Sequence, residues 1–189
     1  MGVCGQLNPD LNVRGIHKAV FLDRDGVINR AVVRDGKPYP PETLADMEIL
    51  PGVEAAIRAL HEAGWKLVVV TNQPDVARGI ALRAKVEEIN QYLAHNLPID
   101  EFRTCYHDSS DGCDCRKPLP GGLFAAAKAH DINLSASYMV GDRWRDVEAG
   151  ERAGCKTIFI DYGYAEKQPQ TVDHRVRSLA EAARIILES

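Results

Sequence analysis

Short apolar runs bounded by turn-forming residues recur along the chain at 19–22, 67–70, 102–106, 138–140 and 157–160. Uninterrupted apolar runs of this length predict strands covered on both faces, as in a parallel sheet. Between and after them, apolar residues spaced three and four apart predict helices over 53–63, 82–93, 122–129, 143–153 and 179–187. Strands alternating with helices of this length require crossover connections, so the expected fold class is α/β with a doubly wound, mainly parallel sheet. The stretch 33–42, rich in Pro and turn formers, predicts a loop after the first strand.

A chain of 189 residues that is 45% hydrophobic is long enough for one domain with a full core, and residues 1–189 are expected to form one. Residues 1–16 precede the first apolar run and are expected to be a flexible N-terminal segment. The predicted helices fill most of the remaining chain, leaving little for a lid; no large cap domain and an open site follow. A formal net charge of -4 argues against binding driven by neutralising nucleic-acid phosphates, and points to a small-molecule partner. No basic start followed by an apolar segment is present, and no apolar run approaches the ~20 residues that span a bilayer. A cytoplasmic, monomeric protein without a membrane partner is expected.

In such sheets ligands collect outside the carboxyl ends of the strands, so the residues there carry the functional information. The first strand ends in Asp23-Arg24-Asp25-Gly26. In a continuing strand Asp23 and Asp25 would share a side, and two close carboxylates repel unless a cation lies between them or one takes a proton. A divalent metal resolves that conflict. The second strand ends in Thr71-Asn72, a hydroxyl and an amide that hold phosphate oxygens without adding negative charge. Arg116-Lys117 supplies cations for a phosphate, and Asp142, at the tip of a later strand, is placed as a hard oxygen ligand for Mg²⁺. Asp146 lies in the first turn of the next helix, where it serves either the helix N-terminus or the metal.

Taken singly, each of these is commonplace: acid pairs before glycine make turns, Thr-Asn caps helices, and Arg-Lys is usually solvated surface. Their joint order at successive strand ends is not. That order, Asp23-x-Asp25-Gly26, Thr71-Asn72, Lys117 and Gly141-Asp142 to Asp146, resembles the haloacid dehalogenase superfamily of phosphatases. The resemblance implies that Asp23 attacks phosphorus while Asp25 protonates the leaving alkoxide and later activates water. It also implies that Asp23, the backbone carbonyl of Asp25 and Asp142 hold Mg²⁺, that Thr71 and Lys117 bind the transferring group, and that Asp146 supports the metal from outside.

Three of the five cysteines cluster as Cys105-x-His107-x5-Cys113-x-Cys115, a grouping that a disulfide framework does not explain. Three thiolates and one imidazole close a tetrahedral structural zinc site, and a zinc loop over 105–115 would hold Arg116 and Lys117 in place. Cys155, at the start of an apolar strand, reads as a buried core residue. The Cys-x-His…Cys-x-Cys-Arg-Lys-Pro element resembles one subgroup, the bacterial heptose-bisphosphate phosphatases and the related histidinol-phosphate phosphatases. The resemblance extends to Val69-Val-Thr-Asn-Gln73 and Ser137-Tyr-Met-Val-Gly-Asp142, whereas Leu119-Pro-Gly-Gly122 departs from the subgroup's usual His-Pro-Gly-Met. A heptose bisphosphate is the preferred substrate, because Arg116, Arg143 and Arg78 lie on the converging loops where a second anionic group would need cations. Histidinol phosphate is the alternative substrate. A phosphatase of nucleic-acid 3′ ends fits the charge poorly. A zinc-stabilised, non-catalytic binding module would not need the full set of Asp23, Asp25, Thr71, Lys117 and Asp142.

Overall fold

In the computed structural model, which describes residues 16–189, the chain begins with β1 (Ala19–Leu22), β2 (Val32–Arg34), β3 (Lys37–Tyr39), α1 (Val53–Glu62), β4 (Lys66–Asn72) and α2 (Arg83–Asn96). It continues through β5 (Glu101–Cys105), α3 (Gly121–His130), β6 (Tyr138–Gly141), α4 (Trp144–Ala153), β7 (Lys156–Ile160), β8 (His174–Val176) and α5 (Leu179–Leu187). Six of the strands form one parallel sheet in the order β5-β4-β1-β6-β7-β8. The order reverses at β1, which makes the β4-β1-β6 edge the switch point where such sheets bind ligands.

Side chains alternate across the central strands, so each strand feeds two cores. Val20, Leu22, Leu67, Val69 and Val140 pack with Ile57 of α1, Ile89 and Leu93 of α2 and Ala182 and Ile186 of α5. Ala19, Phe21, Val68, Val70 and Met139 pack on the opposite face with Leu123 and Ala126 of α3 and Ala149 and Ala153 of α4. Burial on both faces is why these strands read as continuous apolar runs. Cys155 is buried in the second of these cores.

Two features differ from the sequence-based expectation. The stretch read as a loop at 33–42 contains an antiparallel hairpin of β2 and β3, turned by Asp35 (φ 50°) and Gly36 (φ 71°). Two successive left-handed residues of Asp-Gly type make the tight turn that suits the twist of a hairpin. Pro38 is tolerated because the ribbon has only two strands and both are edges. The second difference is β8, a three-residue edge strand with only Val176 buried, too short and too polar to register as an apolar run. Among the described residues no helix is long and apolar enough to cross a membrane. The expected flexible segment falls, but for Ile16, outside the described residues.

Candidate active site

Strand register brings the separate motifs together. Leu22 pairs with Val69 of β4 on one side and Val140 of β6 on the other, and the Asp23 N–H continues the ladder to the Val140 carbonyl at 3.0 Å. Asp23, Thr71 and Asp142 therefore emerge from adjacent strands at the same end of the sheet. Lys117 enters from the loop before α3 and is fully buried among them, 2.7 Å from Asp23 Oδ1 and 2.7 Å from Asp146 Oδ1. Its Nζ also donates to the Val70 carbonyl at 2.6 Å. An ammonium carries three donors, and all three are used. Asn72, expected to hold phosphate, lines the cleft, and its amide spans the backbone of Lys117, donating to the lysine carbonyl (3.0 Å) and accepting from its N–H (3.1 Å). Asn72 thus positions the buried cation.

Asp23, Asp142 and Asp146 are all buried, and one oxygen from each lies within 4.8 Å of the others. Burial pushes the Asp23 carboxyl up to about 6; Lys117 opposes that shift, and Asp146 and Asp25 reinforce it. Burial, followed by the charges of Asp23 and Asp146, raises Asp142 well above the ordinary carboxylate range. Among the described residues, neither buried Asp142 side-chain oxygen has a hydrogen-bond partner of good geometry. A native structure seldom leaves a carboxylate so, and a hard divalent cation satisfies both the orphaned oxygens and the excess negative charge. The backbone makes room for this cluster. A Cβ at Gly26 (φ +93°) would lie 2.0 Å from Asp142 Oδ2, and one at Gly141 would lie 2.1 Å from the Asp146 Cβ. Asp146 also accepts the Arg143 N–H at 2.9 Å, so it both caps α4 and holds Lys117.

Asp25 takes a different course from the one its spacing predicts. Its carboxylate does not share the cluster with Asp23. It is held by Arg24 Nε (3.1 Å) and Nη2 (3.0 Å), Asn29 Nδ2 (2.9 Å) and Gln73 Nε2 (2.7 Å). Arg24 is itself fully buried and anchored to Asn90 Oδ1 at 2.9 Å, while Asn90 donates to Thr104 at 3.1 Å. Gln73 also donates to the Thr71 hydroxyl at 3.0 Å. The repulsion expected between the two acids is relieved by four donors to Asp25. A carboxylate fixed this way can give or take a proton at a set position beside the cleft, which Asp25 lines with Asp23, Thr71 and Lys117.

The cysteine cluster assembles as its spacing suggests. The Cys105–Cys113 Sγ separation is 3.8 Å, and His107 Nδ1 lies 3.7 Å from Cys105 Sγ and 3.4 Å from Cys115 Sγ. A tetrahedral centre with metal–sulfur bonds of ~2.3 Å and metal–nitrogen bonds of ~2.0–2.1 Å has edges of about 3.8 Å and about 3.6 Å. Burial raises the Cys105 thiol, and burial with the neighbouring Cys105 raises that of Cys115, an order that a bound cation reverses. The loop is tied to the cleft wall. Arg78 donates to Asp108 at 2.9 and 2.6 Å, and Arg116 Nη1 donates to the His107 carbonyl at 3.2 Å.

Of the predicted arginines, Arg116, Arg143 and Arg78 all line the cleft. Sequence reasoning missed several groups there. Arg145, one residue past the conspicuous Gly-Asp-Arg-Trp, lines the same cleft, as do Lys37 and Tyr39 of the hairpin. The hairpin thus forms part of the cleft wall.

The chain matches the profile of haloacid dehalogenase-like hydrolases over residues 30–154, which spans Thr71, Lys117, Asp142 and Asp146. It is 37% identical over 158 residues to the D-glycero-beta-D-manno-heptose-1,7-bisphosphate 7-phosphatase of Bordetella bronchiseptica, covering 79% of this chain and 84% of that one. The enzyme of the same name from Escherichia coli K12 is 38% identical over 154 residues, 75% of this chain and 78% of that one. Among solved structures, the D,D-heptose 1,7-bisphosphate phosphatase of B. bronchiseptica complexed with magnesium and phosphate superposes with a TM-score of 0.77 at 32% identity, covering 90% of this chain and 98% of that one. A HAD-like phosphatase from Mesorhizobium loti gives 0.74 at 30% identity, over 97% and 90% of the two chains. By the profile match, these identities and the carboxylate-lysine site, the chain belongs to the haloacid dehalogenase-like hydrolase family.

Proposed function

We propose that the protein is a phosphatase that removes the 7-phosphate of D-glycero-D-manno-heptose 1,7-bisphosphate through a phospho-aspartate on Asp23. The observation that carries this reading is the buried Asp23–Lys117–Asp146 arrangement beside two Asp142 oxygens left unsatisfied among the described residues. Asp23, Asp142 and the Asp25 carbonyl are the groups that would hold Mg²⁺, which supplies positive charge to the phosphoryl oxygens as it is transferred. Asp23 forms the new bond to phosphorus, and the sugar oxygen leaves with a proton from Asp25. Asp25 then takes a proton from water, whose oxygen displaces Asp23 and releases inorganic phosphate. Thr71 and Lys117 contact the transferring group, Lys117 by turning to a phosphoryl oxygen the donor that Asp23 accepts in the free enzyme, while its contact to Asp146 is kept. The heptose-1,7-bisphosphate 7-phosphatase name that relatives at 36–38% identity carry supports the heptose substrate. Thiolate ligands suit a reducing cytoplasm, where this reading places the enzyme.

Phosphate release with Mg²⁺ from heptose 1,7-bisphosphate and from histidinol phosphate, measured side by side, tests the substrate. A kcat/KM for the heptose at least tenfold higher supports the reading; preference for histidinol phosphate overturns it and leaves only the chemistry.

In the same reading Cys105, His107, Cys113 and Cys115 hold a structural Zn²⁺ that braces the Arg116-Lys117 segment. Cys115→Ser is expected to lose one equivalent of zinc by elemental analysis, lower the thermal midpoint, and reduce kcat/KM without changing which metal supports turnover. Unchanged zinc content and midpoint would remove zinc from the account.

A further inference from the structure

Proton transfer asks two things of Asp25: its carboxylate must stay in one place, and one of its oxygens must be free to carry a proton. An ionised carboxylate offers about four acceptor sites, and here four donors reach it, two on each oxygen. A proton can occupy such an oxygen only if a donor lets go, and the four are not equally free to do so. Asn29 Nδ2 has a second acceptor in the Arg30 carbonyl at 3.3 Å, and Gln73 Nε2 has one in the Thr71 hydroxyl at 3.0 Å. Either can shift toward its other partner when Asp25 is protonated.

Arg24 has no such freedom. Its guanidinium is fully buried, grips both Asp25 oxygens in a fork, and is tied at its remaining end by Nη1 to Asn90 Oδ1 at 2.9 Å. Among the described residues the Arg24 side chain bonds to Asp25 and Asn90 alone. A guanidinium only donates, so the oxygen of the Asn90 amide must face it, and the Asn90 nitrogen is committed to the Thr104 hydroxyl at 3.1 Å. Asn90 is buried on the inward side of α2, and neither it nor Arg24 is among the residues lining the cleft. Held at both ends, the guanidinium plane fixes the carboxylate plane. Freed at Nη1, fork and carboxylate would swing together, and a displacement of about 1 Å is enough to spoil a catalytic alignment.

We propose that Asn90 is a positioning residue for proton transfer: through Arg24 it sets the plane in which Asp25 meets the leaving oxygen, although it touches neither the substrate nor Asp25. This rests on the phosphatase reading above and adds to it a residue on a helix outside the cleft. Asn29 and Gln73 are the donors that yield as the proton comes and goes, and the Arg24–Asn90 pair is the part that does not.

The test varies the leaving group. The sugar oxygen of heptose 1,7-bisphosphate needs a proton as it departs, whereas the phenolate of an aryl phosphate that the wild type hydrolyses, such as p-nitrophenyl phosphate, departs without one. For each ester kcat/KM covers the steps up to leaving-group release, so the ratio of the heptose to the aryl value reports on proton delivery, and a fall in the amount of folded enzyme does not move it. Asp25→Asn, run alongside, marks the full loss. In Asn90→Leu the ratio is expected to fall about tenfold or more, part of the ~10²–10⁴ that a positioned proton donor contributes. Asn90→Asp, which keeps an oxygen for Arg24 Nη1, should recover most of it. Asn90→Ser, whose hydroxyl stops short of Arg24, carries the same comparison if Asn90→Leu does not fold. A ratio unchanged in these variants, with that of Asp25→Asn lowered, overturns the assignment while the phosphatase reading stands. A ratio unmoved even in Asp25→Asn takes the proton step from Asp25 and overturns both. Wild-type enzyme that leaves the heptose ester intact overturns the phosphatase reading as stated, and this assignment with it.

Discussion

Asp23→Asn is expected to lower kcat for phosphate release by at least about 10⁴-fold, the scale on which removal of a covalent nucleophile acts. An amide oxygen of the same size in the same place is a far poorer nucleophile, and the Lys117 and Asp142 groups around it remain. The fold should not suffer. Three buried carboxylates share one lysine here, and burial has already pushed Asp23 up to about 6, so removing one negative charge relieves repulsion. Without Mg²⁺ the thermal midpoint of Asp23→Asn should equal or exceed that of the wild type. A variant that is inactive because it is unfolded, or one that keeps more than a hundredth of the wild-type rate, would contradict the role given to Asp23.

Lys117→Met should be the most destabilising single change at the site. The lysine is 2% exposed and touches Asp23, Asp146 and the Val70 carbonyl, each within 2.7 Å. Methionine fills the space of the stem but leaves two buried carboxylates without their cation. Breaking a buried pair in this way costs about 3–5 kcal/mol. For a chain of this size that corresponds to a fall in the thermal midpoint of roughly 2–4 °C for each kcal/mol. Turnover should be lost as well. Lys117→Arg should not restore it, because a planar fork cannot direct three donors to the positions a tetrahedral ammonium reaches. Calorimetry of the variant with and without Mg²⁺ checks the first claim, and an unchanged midpoint would refute it.

The sheet was largely legible in the sequence because its central strands are covered on both faces, which imprints unbroken apolar runs such as Ala19–Leu22. β8, three residues at an edge with two of them exposed, has no such imprint. The β2–β3 hairpin carried a readable turn in Asp35-Gly36, but Pro38 and the Pro-rich flank outweighed it, since Pro is usually excluded from paired strands. At the site, Asp23, Asp142 and Lys117 could be named because strand ends converge and chemistry there is sparse. The partners of Asp25 could not. Arg24 points into the core from between two acids, and Asn90 sits on the inward face of a helix distant in sequence. Such a network is a property of three-dimensional packing, with no period or spacing to mark it. Arg143 and Arg145 illustrate the same limit: the sequence pointed to Arg143 and passed over Arg145, and only the fold shows that Glu166 holds the first and that both line the cleft.

Covalent trapping at Asp23 tests the account most directly. Asp25→Asn, which lacks the group that activates water, should be mixed with Mg²⁺ and an aryl phosphate that the wild type hydrolyses, whose phenolate leaves without the proton Asp25 gives, then quenched in acid and digested for mass spectrometry. Phosphate is predicted on the peptide bearing Asp23, absent when Asp23→Asn is treated alike. Wild-type turnover together with no phosphorylated peptide in Asp25→Asn, or phosphate on any other residue, would contradict it.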